Sequence, residues 1–297
     1  MIRNFIITIL TLVLFSACKT PKTVAVDSPK PTRKTTPYED TLNARIQTAD
    51  YVVLNNLKGG ESPELLALIS LYDKHFSLGI NSVKWKLFEN RQAIMSAYGN
   101  YYNGLSKPAI SDSALRDPAT ALSVIDGFKK ADVRFGWMTF CQYVNTPNRV
   151  IEFAVAEAMR DTQMLPEVCF ILSEIKQKRC SCDSVLLNQS IAQVKQHLRT
   201  LLFDASGAVV ERNDLAWNLR SLAFFNYIPD QSVDYKKVVD YLLAQQHNGG
   251  WATYPKPATA EALSQYNFDM YSTGFGLWAL AEMRERYYLE NHLEPLK

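Results

Sequence analysis

Apolar residues recur at the spacing of an α-helix along almost all of this chain beyond residue 39, and that periodicity limits the fold more than any other feature. Leu65, Leu66, Ile69 and Tyr72 form one stripe, Val150, Phe153, Ala154 and Ala158 a second, and Leu215, Leu219, Leu222 and Phe225 a third. Strand-like alternation is scarce. Proline stands where a helix would begin in Ser62-Pro63-Glu64, Asp117-Pro118 and Thr146-Pro147. The expectation is an all-α body. With 297 residues, 47% hydrophobic and 11% aromatic, the chain can bury one large core or two modest ones and is not a disordered mixture.

The body also repeats. Val194 to Asp204 leads through Ala205-Ser206-Gly207 to an apolar stretch from Leu215 to Tyr227. Val238 to Gln246 leads through Asn248-Gly249-Gly250 and an insertion to Thr273–Met283. The turn glycines Gly207 and Gly249 lie 42 residues apart, and two earlier candidates, Gly59 and Gly104, lie 45 apart. Two helices in every 40–45 residues predict a helical array or a closed ring.

One of these turns carries a more specific pattern. Tyr241-Leu242-Leu243-Ala244-Gln245-Gln246-His247-Asn248-Gly249-Gly250-Trp251 resembles the QW motif of the terpenoid cyclase and protein prenyltransferase superfamily. Thr273-Gly274-Phe275-Gly276-Leu277-Trp278-Ala279-Leu280 resembles the inner helix that follows such turns. The motif's leading Lys/Arg-Gly is reduced here to Lys236-Lys237. The resemblance implies an α/α toroid over residues 39–297, with outer helices enclosing inner ones around a central pocket. It also implies that Gln246 caps amides of a neighbouring helix end while Trp251 stacks on it and joins adjacent repeats.

The superfamily's chemistry does not carry over. No Asp-x-Asp-Asp run is present for protonating an alkene, and although Asp183 follows Cys182, no His stands where a prenyltransferase zinc site requires one. The sequence points to no cofactor and no metal. A polar and aromatic set remains at the expected starts of inner helices. Tyr266, Asp269 and Tyr271 precede the last one, with Glu261 in the insertion, and Asn213, Asp214, Trp217 and Arg220 lead the equivalent helix one repeat earlier. A carboxylate near a Tyr and an Arg suits acid–base cleavage of an acidic polysaccharide, with Asp214, Arg220, Asp269 and Tyr271 as catalytic candidates. Trp217, Tyr266, Asp269 and Tyr271 are candidates for binding an extended ligand such as a glycan. The alternative is structural: Asp214 and Asp269 cap helices, and Trp217 and Tyr271 pack between repeats. A ring plugged by Phe and Trp would make the protein an envelope scaffold working through its outer surface.

The N-terminus supplies an address. An apolar run from Phe5 to Ala17 follows Arg3; it is too short to span a hydrocarbon core of about 30 Å but fits a secretory signal peptide, residues 1–17. Leu14-Phe15-Ser16-Ala17-Cys18 resembles a bacterial lipobox, which implies a lipidated Cys18 at the head of the mature chain and a place in the cell envelope, on the periplasmic face of the outer membrane. Residues 18–38, rich in Thr, Pro, Lys and Ser, read as a flexible tether. Lys19, Lys22, Lys30, Arg33 and Lys34 lie there against Asp27, and beyond residue 38 the chain holds 26 basic and 29 acidic residues. A nucleic-acid surface is therefore unsupported, and the expected partners are the membrane, through the anchor, and a glycan or envelope protein.

Four further cysteines in an oxidising compartment allow three pairings. Cys180-Ser181-Cys182 lies in a polar stretch between helical patterns, so a bond from Cys180 or Cys182 to Cys169 is expected, with Cys141 a plain core residue. For the anchor, Cys18→Ser is expected to release the protein from membranes or leave it unprocessed; wild-type protein that fractionates as soluble, without an acyl mass increment, would contradict lipidation.

Overall fold

The computed structural model describes residues 34–57, 65, 68, 69, 72, 76, 141, 144–228 and 230–294. Among them the fold is all-α, with two isolated β-bridges and no strands. The helices are α1 (Pro37–Asn56), α2 (Asn148–Arg160), a 3-10 turn (Thr162–Met164), α3 (Leu165–Gln177), α4 (Ser184–Leu202), α5 (Leu215–Asn226), α6 (Tyr235–Gln245), α7 (Ala260–Ser264) and α8 (Met270–Glu290). Leu65, Leu68, Ile69, Tyr72 and Phe76 are helical as well and lie on one face. Pro63, Leu66, Pro118 and the glycines at 59 and 104 lie outside the described residues.

Burial sorts these helices into two layers. Ten of the 13 residues of α3, ten of the 12 of α5 and 14 of the 21 of α8 are buried, so these three are surrounded. In α2 the count is three of 13, and in α4 six of 19, so each of these presents a single apolar face to the core. Surrounded and one-faced helices alternate along the chain from α2 to α6, as a helical-hairpin array requires. The inner helices run parallel, because their contacts climb together: Glu167 meets Arg220, Phe170 meets Phe224, and Glu174 meets Tyr227. Phe224 and Tyr227 in turn meet Phe275 and Trp278 of α8.

The two repeat turns prove alike in geometry. Gly207 and Gly249 both have positive φ, 78° and 84°, and both turns are closed by an antiparallel bridge, Phe203 with Val209 and His247 with Gly250. The second turn makes the QW-like joint. Trp251 is fully buried; its indole N–H donates to Leu242 O of α6 at 2.9 Å, and its backbone N–H to Thr273 Oγ1 of α8 at 3.1 Å. The ring lies so close to α8 that a Cβ on Gly276 would stand 2.5 Å from Trp251 Cδ2. Gln246 acts differently from the expected cap. Its amide donates to carbonyls, Gly249 O at 3.4 Å and Arg45 O of α1 at 3.5 Å, rather than accepting from a helix end.

Helix α1 starts two residues earlier than the composition suggests, so Pro37 and Tyr38 leave the expected tether. Thr36 and Glu39 form a reciprocal capping box with Pro37 in the first turn. Thr36 Oγ1 also bonds Tyr287 Oη at 2.7 Å, and Tyr38 packs on Tyr235 and Tyr287, fastening the first helix to the last.

Other boundaries shift for local reasons. Pro147 is the residue before α2 rather than its first, and Phe153 faces outward while Ile151, Ala154 and Ala158 form the buried stripe. The disulfide joins Cys141 to Cys180, with Cα atoms 5.3 Å apart, and Cys169 and Cys182 are free. The expected partner, Cys169, sits on the α3 face that meets α5, its thiol toward Phe224 O at 3.7 Å. Burial pushes that thiol up to about 12, which leaves it unreactive. Cys180 has already left the helix, in a loop along which residues 144–147 run: Thr146 N–H donates to Ser181 O at 2.8 Å. Closing 39 residues is worth about 4 kcal/mol in the chain-entropy account.

Trp251→Ala is expected to cost about 3–5 kcal/mol, because the indole fills a joint shared by α6 and α8. At about 2–4 °C per kcal/mol, thermal denaturation should register a clear loss. A wild-type midpoint for this variant would contradict the joint.

Candidate functional site

Because the inner helices are parallel, their N-termini gather at one end of the array, and the polar residues singled out in the sequence lie there. All but Asn213 and Glu261, which are exposed, are already engaged. Asp214 caps α5, accepting from Trp217 N–H at 2.9 Å, and the neighbouring Ala216 N–H donates to Thr253 O at 3.1 Å. Asp269 caps α8, accepting from Ser272 N–H at 2.7 Å. Both therefore do the work of the structural alternative, satisfying amides that a helix start leaves unpaired.

Trp217 is buried between segments. Its indole N–H donates to Thr162 O at 3.1 Å, and the Arg212 guanidinium covers one face of its ring at 4.7 Å, so that face is not free for stacking. Arg220 forms a 2.5 Å ion pair with Glu167 and donates to Gln163 through its carbonyl and side-chain oxygens. Tyr266 is buried; its hydroxyl donates to Tyr254 O at 3.1 Å, and burial raises its pKa. Tyr271 packs against Phe275 with ring centroids 5.4 Å apart, and Glu261 lies exposed in α7.

A cavity of about 430 Å³ opens beside Trp217. Its walls are Thr162, Gln163, Glu211, Arg212, Asn213, Asp214 and Trp217. Tyr266, Asp269 and Tyr271 are not among them, so the binding candidates do not converge on one pocket. Among the described residues, no three His, Cys, Asp or Glu side chains stand where they could hold a metal ion.

Among the described residues, aromatic rings pack together between the inner helices α3, α5 and α8. Phe170 and Phe224 stack at 4.5 Å, and Trp278 stands edge-on to both at 5.8 and 5.7 Å. Phe76 and Tyr227 meet the same indole at 6.2 and 6.0 Å. Beside this cluster is a residue that sequence reasoning passed over. Glu282 accepts from the Trp278 indole N–H at 3.0 Å, and burial, with Glu285 nearby, pushes its carboxyl up to about 8. The available signal was a lone acid four residues after Trp278 in an otherwise apolar run, Leu277-Trp278-Ala279-Leu280-Ala281-Glu282-Met283.

No protein-family model, curated protein or solved structure matches the chain. Its own geometry must therefore carry any assignment.

Glu282 makes stability depend on pH. Its folded pKa exceeds the unfolded value near 4.5, so the native state holds the proton longer, and stability declines as pH rises from about 4.5 through about 8. Glu282→Gln, which cannot ionise, is expected to match wild type near pH 4 and to melt several degrees higher at pH 8. A constant difference across that range would contradict the buried protonated carboxyl.

Proposed function

We propose that this protein is a lipid-anchored binding protein of the bacterial cell envelope, a helical-hairpin array closed into a ring, which holds a partner rather than transforming it. The observation that carries this reading is the aromatic filling between the inner helices around Trp278, where an enzyme of this architecture would need space for substrate. Two further facts support it. The carboxylates best suited by sequence to acid–base work, Asp214 and Asp269, are consumed as helix caps, and Arg220 is paired with Glu167. The lipobox-like segment and the basic tether support attachment to a bilayer, where a fixed concentration near the membrane favours capture of a neighbouring envelope component.

A second reading, a polysaccharide lyase or hydrolase, has one observation in its favour. Burial pushes the Glu282 carboxyl up to about 8, toward the protonated form that a general acid needs. The two readings separate by incubating the purified protein with polygalacturonate and alginate and following unsaturated or reducing ends. The binding reading expects no product above a blank. Product formation abolished by Glu282→Gln would overturn it in favour of the enzyme.

A further inference from the structure

We propose that the cavity beside Trp217 is a binding site for a neutral saccharide chain; this rests on the binding reading above and supplies its ligand class. The argument proceeds by what the walls can and cannot satisfy. At about 430 Å³ the cavity falls within the range of small-molecule sites, and it is open enough for a chain to pass. Its walls are more polar than apolar, which favours a ligand carrying hydrogen-bonding groups over a purely apolar one.

An anion is excluded by charge and by the state of the backbone. Glu211 and Asp214 outnumber Arg212 among the walls. The α5 amides that could cradle a phosphate or carboxylate are taken: Trp217 N–H by Asp214 Oδ1 and Ala216 N–H by Thr253 O. A large organic cation would need an aromatic face, and Arg212 covers the one that Trp217 could offer.

Donors and acceptors of modest charge remain, interleaved along one opening. Glu211 and Asn213 are exposed, one carrying acceptors and the other both kinds. Arg212 donates to Leu201 O at 2.9 Å and lies on Trp217, which holds it in place, while its buried Nε has no partner. Gln163, another wall residue, is fixed by Arg220, which donates to its carbonyl and side-chain oxygens. Such a wall suits hydroxyl and acetamido groups, which donate and accept at once. Because Arg212 and Gln163 are held before a ligand arrives, part of the ordering cost of binding is already met.

The test uses the full lipid-anchored protein in detergent, titrated calorimetrically with maltohexaose and with the N-acetylglucosamine hexamer, and with polygalacturonate as the anionic control. At least one neutral probe is expected to bind saturably and polygalacturonate more weakly. Glu211→Ala and Asn213→Ala, both at exposed positions, are expected to weaken binding about fivefold to tenfold without moving the melting temperature. Absence of binding by both neutral probes, preference for polygalacturonate, or variants that bind as wild type would each overturn the site. Failure of the underlying reading looks different. Cleavage of a bound probe would leave the site standing and overturn binding without turnover. Neutral-saccharide binding untouched by both variants would overturn this cavity and leave the binding reading in place.

Discussion

Trp278 is the point on which the inner layer converges. Its ring meets Phe170 from α3, Phe224 from α5, Tyr227 just after α5, and Phe76 from the helical residues near the start of the body, and it is fully buried. Edge-to-face pairs of this kind add about 0.5–1.5 kcal/mol each beyond the area they bury, and here several share one indole. Parallel inner helices need a common filler, because their apolar faces all point to the same axis. A single large ring meets that need with few voids. The consequence for function is spatial. With aromatic carbon between α3, α5 and α8, the capping carboxylates Asp214 and Asp269 lie at the end where α5 and α8 begin.

A second joint holds the layers together. Trp251 ties α6 to α8 through Leu242 O and Thr273 Oγ1, and the absence of a side chain at Gly276 lets the indole approach the helix. The same turn reaches α1 on its other side. A Cβ on Gly249 would meet Thr48 Cγ2 at 2.8 Å, and Gln246 donates to Arg45 O. Helix α1 thereby spans from this turn to Tyr287, where Thr36 and Tyr38 fasten its start. The N-terminal helix is thus held by the C-terminal third of the chain.

Helical periodicity in the sequence was enough to read the all-α class, the Gly207 and Gly249 turns and the burial of Trp251, because each is a local pattern. The capping roles of Asp214 and Asp269 were also local, and the structural alternative for them is what the hydrogen bonds describe. What escaped were relations between distant segments. Periodicity says that α3 has apolar residues but not that Cys169 faces α5, nor that the segment after Cys141 runs beside Cys180. Phe153 was assigned to a buried stripe because a large apolar residue is weighted by type, while the α2 face that meets the core is set by Ile151, Ala154 and Ala158. Glu282 was missed for the opposite reason. An acid in an apolar run reads as an edge of the stripe until the indole it accepts from is known.

The central claim is that, among the described residues, aromatic rings fill the space between α3, α5 and α8. The most direct measurement is the stability of Trp278→Ala against wild type by denaturant titration. A filled interior predicts a loss of about 3–5 kcal/mol, since the deleted indole leaves a void that its neighbours can only partly close. A variant within about 0.5 kcal/mol of wild type would contradict the claim: Trp278 would then face open space, and the centre of the array would have to be regarded as a cavity.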